Sequence, residues 1–477
     1  MKVISFIFLF CYINLISGFL NFPENEPSEG LTHMAEISSS QEYDDTKVKL
    51  IETNFNMTYL NYYHFSPSNS PVAPRTDGGY YIAFTDTNKY LHVLSYDKND
   101  KLLKDFNIKE KANPVDITAT ENGFAIYMVE ADSTFHSYLS LYNKSFKLVK
   151  KVQIMNNSKN DDKTVDSNLQ KQIIKYDTKG KPVFGMRFMY HPDSGKLIYS
   201  GGRIVLIFSH YNYFLDDLGT TGAHTGDTTV TFDNTLNDMD FGLTWGASHS
   251  LIQSVTADEN YFCTAALSDS HPMGIQVTYT SKTKFKRDID PINNKQNQRE
   301  YTRISNLAGI ISGYRNGYAA GKLGGILYFE KYGIYCLVYA KTPNDSEDSY
   351  NGKHIIYMTT WKFENNRVSN NKTMIVKVLS SGNITQVRAG KFGDDKVFIT
   401  YASTSDPYDV YLYNGATPNF FLIDVSKSKK LKSDVKLNKL LMNVNEDLRT
   451  FEDGVLIWAT ANKEGKLSII KIGTVNF

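Results

Sequence analysis

One phrase recurs along this chain of 477 residues: a polar turn containing Gly, Asp or Asn, followed by an apolar strand of about seven residues. The clearest copies are Asp77-Gly78-Gly79-Tyr80-Tyr81-Ile82-Ala83-Phe84, Glu121-Asn122-Gly123-Phe124-Ala125-Ile126-Tyr127-Met128 and Glu452-Asp453-Gly454-Val455-Leu456-Ile457-Trp458-Ala459. Weaker copies start at Gly202, Asn260, Gly333 and Asp395. These runs are short, rich in Tyr, Phe, Ile and Val, and bounded by turn residues, which predicts strands. Leu91 to Tyr96 and Tyr138 to Tyr142 alternate in period two. The innermost runs are apolar throughout, as in strands buried on both faces. No helical stripe exceeds three turns.

Gly79 and Gly123 lie 44 residues apart, the length of one four-stranded propeller blade. Seven such units fit, at 70–108, 114–154, 181–244, 247–290, 322–380, 383–438 and 446–472. The seventh has room for three strands, the last being Leu467 to Ile472. Lys47 to Phe55 is a strand without a unit. The expected fold is therefore an all-β, seven-bladed β-propeller closed by an N-terminal strand, one domain over 47–477. Closure would leave no open sheet edge between the first and last blades. Aligning the units puts Ile82, Ile126, Val205, Cys263, Cys336, Phe398 and Ile457 in one apolar column. Packed sheets stand about 10 Å apart, beyond disulfide reach. Both column cysteines are thus expected to be free and buried.

Ahead of the repeat, Met1 and Lys2 precede an apolar run from Val3 to Ile16, with Ser17 and Gly18 as a small-residue exit. That is the pattern of a signal peptide, 1–18, and places the chain outside the cell as a secreted protein. Asn14 interrupts the run, which falls short of the roughly 20 apolar residues of a membrane span. Residues 19–46 read as a flexible leader rich in Pro, Glu, Ser and Asn. Its opening residues Phe19, Leu20 and Phe22 form an apolar tag suited to docking on another copy of the chain. Lys and Arg number 52 against 51 Asp and Glu, and one of the cations, Lys2, leaves with the signal. Such neutrality argues against a nucleic-acid partner. Six sequons, at Asn56, Asn143, Asn156, Asn344, Asn371 and Asn383, mark glycosylation candidates.

The densest polar cluster lies in the third and fourth units. Four of the ten histidines, His210, His224, His249 and His271, fall there with Asp227 and Asp269. Histidines with carboxylates suit a divalent metal ion, and these six are the ligand or metal candidates. No H-E-x-x-H, G-x-S-x-G, P-loop or dinucleotide fingerprint occurs, so no catalytic residue is assigned. Phe208-Ser209-His210-Tyr211-Asn212, His224-Thr225-Gly226-Asp227, Trp245-Gly246-Ala247-Ser248-His249-Ser250 and Leu323-Gly324-Gly325-Ile326 carry a resemblance. Over roughly 200–340 the chain resembles secreted seven-bladed β-propeller proteins of WD40/YVTN-like repeat architecture from bacteria and protists, a group without a settled activity. The pattern of that group carries an acidic residue where this chain has Ile252 and a basic one where it has Met273.

The expected function is non-catalytic. It is either recognition of an extracellular glycan or protein, or self-assembly as a homo-oligomer, surface layer or filament. The alternative is a metal-assisted propeller hydrolase or lyase using the 210–271 cluster.

Overall fold

Short polar side chains open the hairpins. Asp77 Oδ1 accepts from the Gly79 amide at 2.9 Å and Asp453 Oδ1 from the Val455 amide at 3.1 Å. Gly78 and Gly454 beside them have φ of 81° and 82°, a conformation that a side chain would strain. Asp97 and Asn462 each accept two backbone amides in the same way.

The computed structural model describes residues 32–35, 48–58, 70–131, 136–155, 175–176, 182–184, 186–189, 195–216, 219–237, 239–244, 253–268, 274–287, 297–304, 322–341, 355–379, 383–404, 418–436, 439, 441–442 and 446–473. Every regular element among them is a strand. Consecutive strands pair as antiparallel meanders, seen most simply in Asn383–Phe392, Lys396–Thr404, Asn419–Asp424 and Lys429–Lys436. Successive meanders pack through their first strands, and the architecture is that of an all-β propeller.

Hydrogen bonding corrects the expected seven separate sheets to five sheets of four or more strands, beside one two-stranded hairpin. Two of the five are compound. Leu102–Thr120 pairs with Tyr90–Tyr96 through its first half and with Gly123–Glu130 through its second, producing a seven-stranded sheet. A single parallel bridge, Phe241 to Gln298, joins two further meanders into a nine-stranded one. The fourth unit also extends past residue 290. Asn297–Ile304 pairs antiparallel with Gly274–Arg287. At the N-terminal side, Val48–Asn56 pairs antiparallel with Lys466–Ile472, from Val48 opposite Ile472 to Glu52 opposite Ser468. Within the leader, Thr32–His33 adds in parallel to the outer edge of Arg367–Val378, and Met34 is buried there.

The apolar core sits between neighbouring sheets. One cluster joins Tyr127, Leu139 and Ile154 to Leu197, Leu206 and Phe208, and another joins Cys263, Val277 and Tyr279 to Leu337, Tyr357 and Trp361. A third unites the last sheet with the first, through Ile457, Ile469, Tyr80, Ile82 and Phe84. All seven residues of the expected apolar column have no exposed surface. Both cysteines are free, as the column predicts. Burial pushes each thiol's pKa well up, so they behave as small apolar side chains.

Candidate functional site

Of the six candidates in the 210–271 cluster, backbone register locates three. Arg203–Asp216 and Gly219–Asp233 pair antiparallel, with Ser209 opposite Asp227, His210 opposite Gly226 and Asn212 opposite His224. Period-two alternation gives His210 and His224 positions on one face and Asp227 a position on the other. His249, Asp269 and His271 lie outside the described residues. So do Phe19, Leu20 and Phe22, together with Asn156 and Asn344. Among the other sequons, Asn56 is exposed, Asn143 and Asn371 are half-buried, and Asn383 begins a strand.

A different polar cluster lies on the first strands of the meanders. These strands form a closed series of neighbours: Val72–Pro74, the second half of Leu102–Thr120, Gly195–Ser200, Gln253–Ala257, Lys322–Phe329, Asn383–Phe392 and Arg449–Thr450, which returns to Val72–Pro74. Three of them carry a register shift near the same end, at Pro114/Asp116, Leu323/Gly325 and Ile384/Gln386. A bulge of this kind re-aims the side chains beside it.

Asp116 is the centre of the cluster and has no exposed surface. Both of its oxygens accept from Arg449 Nη2 at 2.7 Å. Oδ2 also takes the Leu197 amide at 2.7 Å, and Oδ1 the Ile117 amide at 2.9 Å. Arg449 reaches Asp447 at 3.5 Å, and Lys196 donates to Asp447 at 2.5 Å. In the series of strands, Arg449 is two places from Asp116, and Lys196 is three from Arg449. These ion pairs therefore link units that are not neighbours and cross the space enclosed by the ring. Arg388, nearly fully buried, works along the ring instead. It donates to the Leu323 carbonyl at 2.9 Å on one side and to the Glu446 carbonyl at 3.1 Å on the other.

Charge follows from this geometry. Burial raises the pKa of Asp447, but Lys196, Arg449 and Arg388 outweigh it and hold the carboxyl below its ordinary value. Burial alone would lower that of Arg449, yet Asp116 and Asp447 raise it. Carboxylates held ionised in this way make poor general acids, whose pKa must be raised toward the working pH. What the arrangement does well is fix a polar surface at the ring axis.

Sequence reasoning did not single out Asp116, Lys196, Lys322, Arg388, Glu446, Asp447 or Arg449. The readable signal was a charged residue on or beside five of the seven short first strands, as in Pro114-Val115-Asp116, Gly195-Lys196-Leu197 and Asp447-Leu448-Arg449. Among the described residues, no three His, Cys, Asp or Glu side chains are grouped as a metal ion would need.

No protein-family model matches the chain, and no curated protein matches its sequence. Among solved structures it is similar to the N-terminal domain of Nup159, at 8% identity over 93% of this chain and 99% of that one, with a TM-score of 0.40. It is similar to a chain of the mitotic checkpoint complex at 8% identity, 93% and 98% coverage and a TM-score of 0.41. Sqt1 of Saccharomyces cerevisiae stands at 10% identity, 88% and 99% coverage and a TM-score of 0.37. These neighbours are WD40-type β-propeller proteins. At TM-scores this low the likeness carries no weight, and the propeller assignment rests on strand order and register.

Proposed function

We propose that this chain is a secreted, non-catalytic propeller that binds an extracellular partner, glycan or protein, on a rigid ring of seven four-stranded units. The closed series of seven first strands and the column of seven unexposed residues support that count, with each compound sheet read as two units. Pairing of Val48–Asn56 with Lys466–Ile472 supports closure by the N-terminal strand.

The observation that carries the binding reading is the ion pairing across the ring. Lys196 with Asp447 and Arg449 with Asp116 hold units together from inside, so the polar groups at the axis are preorganised. Preorganised polar groups in a concave setting favour binding because little ordering remains to be done when a partner arrives.

A glycan and protein-surface binding screen on the purified secreted chain, with negative-stain microscopy in parallel, tests this. Saturable binding by discrete particles is expected. Fibres or lattices that vanish on deleting 19–46 would move the reading to self-assembly. Absence of both binding and assembly would overturn it.

A further inference from the structure

A cavity of about 200 Å³ lies between the sheet that contains Gly123–Glu130 and the one that contains Gly195–Ser200. Thr120, Glu121 and Asn122 line it from the turn ahead of Gly123–Glu130, and Tyr199 from Gly195–Ser200. Asn234 lines it from the turn after Gly219–Asp233. Leu141 and Val149 supply an apolar wall, and Val149 is 54% exposed. Leu141 and Tyr199 also belong to the core between the two sheets, so packing fixes this part of the lining.

The fold leaves polar groups here unused. The hydroxyl oxygens of Thr120 and Tyr199 are buried, and neither has a hydrogen-bond partner among the described residues. Burial and then the Glu121 carboxylate raise the pKa of Tyr199, which places the two groups near each other, yet no hydrogen bond of ordinary geometry joins them. A buried hydroxyl left unpaired costs free energy, and a ligand that supplies its partner removes that cost. Asn122 and Asn234 are exposed on their turns, which leaves their amides open to a ligand as well.

An apolar wall beside hydroxyl, amide and carboxylate groups suits a ligand with one apolar face and several hydroxyls. Sites for drug-sized molecules enclose roughly 300–1,000 Å³, so this smaller space holds a single ring. Among the described residues that line it, Glu121 is the one charged side chain, so an anion would meet a carboxylate and no cation. An ammonium would pair with Glu121 but offers no acceptor to the two hydroxyls. We infer that the cavity binds a neutral sugar ring, the terminal residue of a glycan, through Thr120, Glu121 and Tyr199, with Val149 against its apolar face. The inference rests on the binding reading above. It narrows the partner to a glycan and places the contact between two sheets rather than at the ring axis.

Asn143, a sequon position, also lines the cavity. The test therefore uses a parent chain carrying Ser145→Ala, which removes the sequon and keeps the backbone amide that Asn143 Oδ1 accepts at 3.0 Å. Isothermal titration with the methyl glycosides of glucose, galactose, mannose and N-acetylglucosamine, and with the free sugars, is made on this parent and on its Thr120→Val and Tyr199→Phe derivatives. At least one glycoside should bind the parent saturably, and each derivative should bind it about fivefold more weakly, the loss of one hydrogen bond. Neither derivative should melt lower without ligand, because the deleted hydroxyls have no protein partner to lose. No glycoside binding by the folded parent would overturn the site and leave water as the partner of the two hydroxyls. Equal affinity in the parent and both derivatives would overturn it too. Binding of free sugars but not of their methyl glycosides would overturn the glycan assignment. If the binding screen found a partner whose affinity ignored both substitutions, the site alone would fall and the proposed function would stand.

Discussion

At the scale of single residues, the axial charges have opposite effects on stability. Asp116 is fully buried and accepts from Arg449, Leu197 and Ile117, so removing its charge takes the nearer of two carboxylates from the guanidinium and leaves the Leu197 and Ile117 amides without their acceptor. Asp116→Ala should cost about 3–5 kcal/mol, the usual penalty for breaking a buried pair, read from urea unfolding. Lys322 goes the other way, because burial and then the like charge of Arg388 oppose its ammonium. Its folded pKa of about 8 lies below the ordinary 10.5, so the unfolded chain binds more protons between those values. Wild-type stability should therefore rise with pH across that window. The advantage of Lys322→Met should be complete below pH 8 and gone above 10.5, as melting curves against pH would show. Apolar residues were legible in the sequence because the repeat aligns them; Ile82, Cys263 and Ile457 share a phase and a fate. The charged ones were not. Asp116 and Arg449 stand 333 positions apart, and local spacing carries no record of a pair made only when the ring forms.

Among elements, the strands that join the chain's two ends depend on Asp100. Its side chain is 7% exposed, accepts from Lys471 at 2.8 Å and from Tyr80 at 3.0 Å, and pairs with Lys49. The first sheet is thereby fastened to Lys466–Ile472 and Val48–Asn56 together. Burial raises the pKa of the Asp100 carboxyl, but the two lysines and Tyr80 outweigh it and hold the value below the ordinary 3.8. Its contribution is thus present above the ordinary carboxylate value and lost as pH falls through the lower folded one. Asp100→Asn should melt several degrees lower at neutral pH, and the gap from wild type should close under strong acid. Strand existence was readable here, since Lys47 to Phe55 and Leu467 to Ile472 were both read as strands. Sheet partition was not. Leu102–Thr120 serves two meanders in one extended run, and pattern alone cannot tell a strand that ends from one that changes partner.

For the molecule as a whole, the contacts that join first sheet to last decide how it responds to truncation. Ile457 and Ile469 pack with Ile82 and Phe84, and Ile51 and Phe55 from Val48–Asn56 pack against the same cluster. Deleting residues 19–56 would remove that strand and leave Lys466–Ile472 with an unpaired outer edge, the arrangement that invites pairing between chains. A lower melting temperature and concentration-dependent oligomers in light scattering are expected. Deleting only 19–46 removes the short Thr32–His33 pairing and buried Met34, and leaves the Val48–Asn56 ladder in place. That variant should remain monodisperse and lose much less stability. Equal behaviour of the two truncations would mean that the strand contributes nothing to the ring, and the clusters between sheets would then have to hold the first and last units together without it.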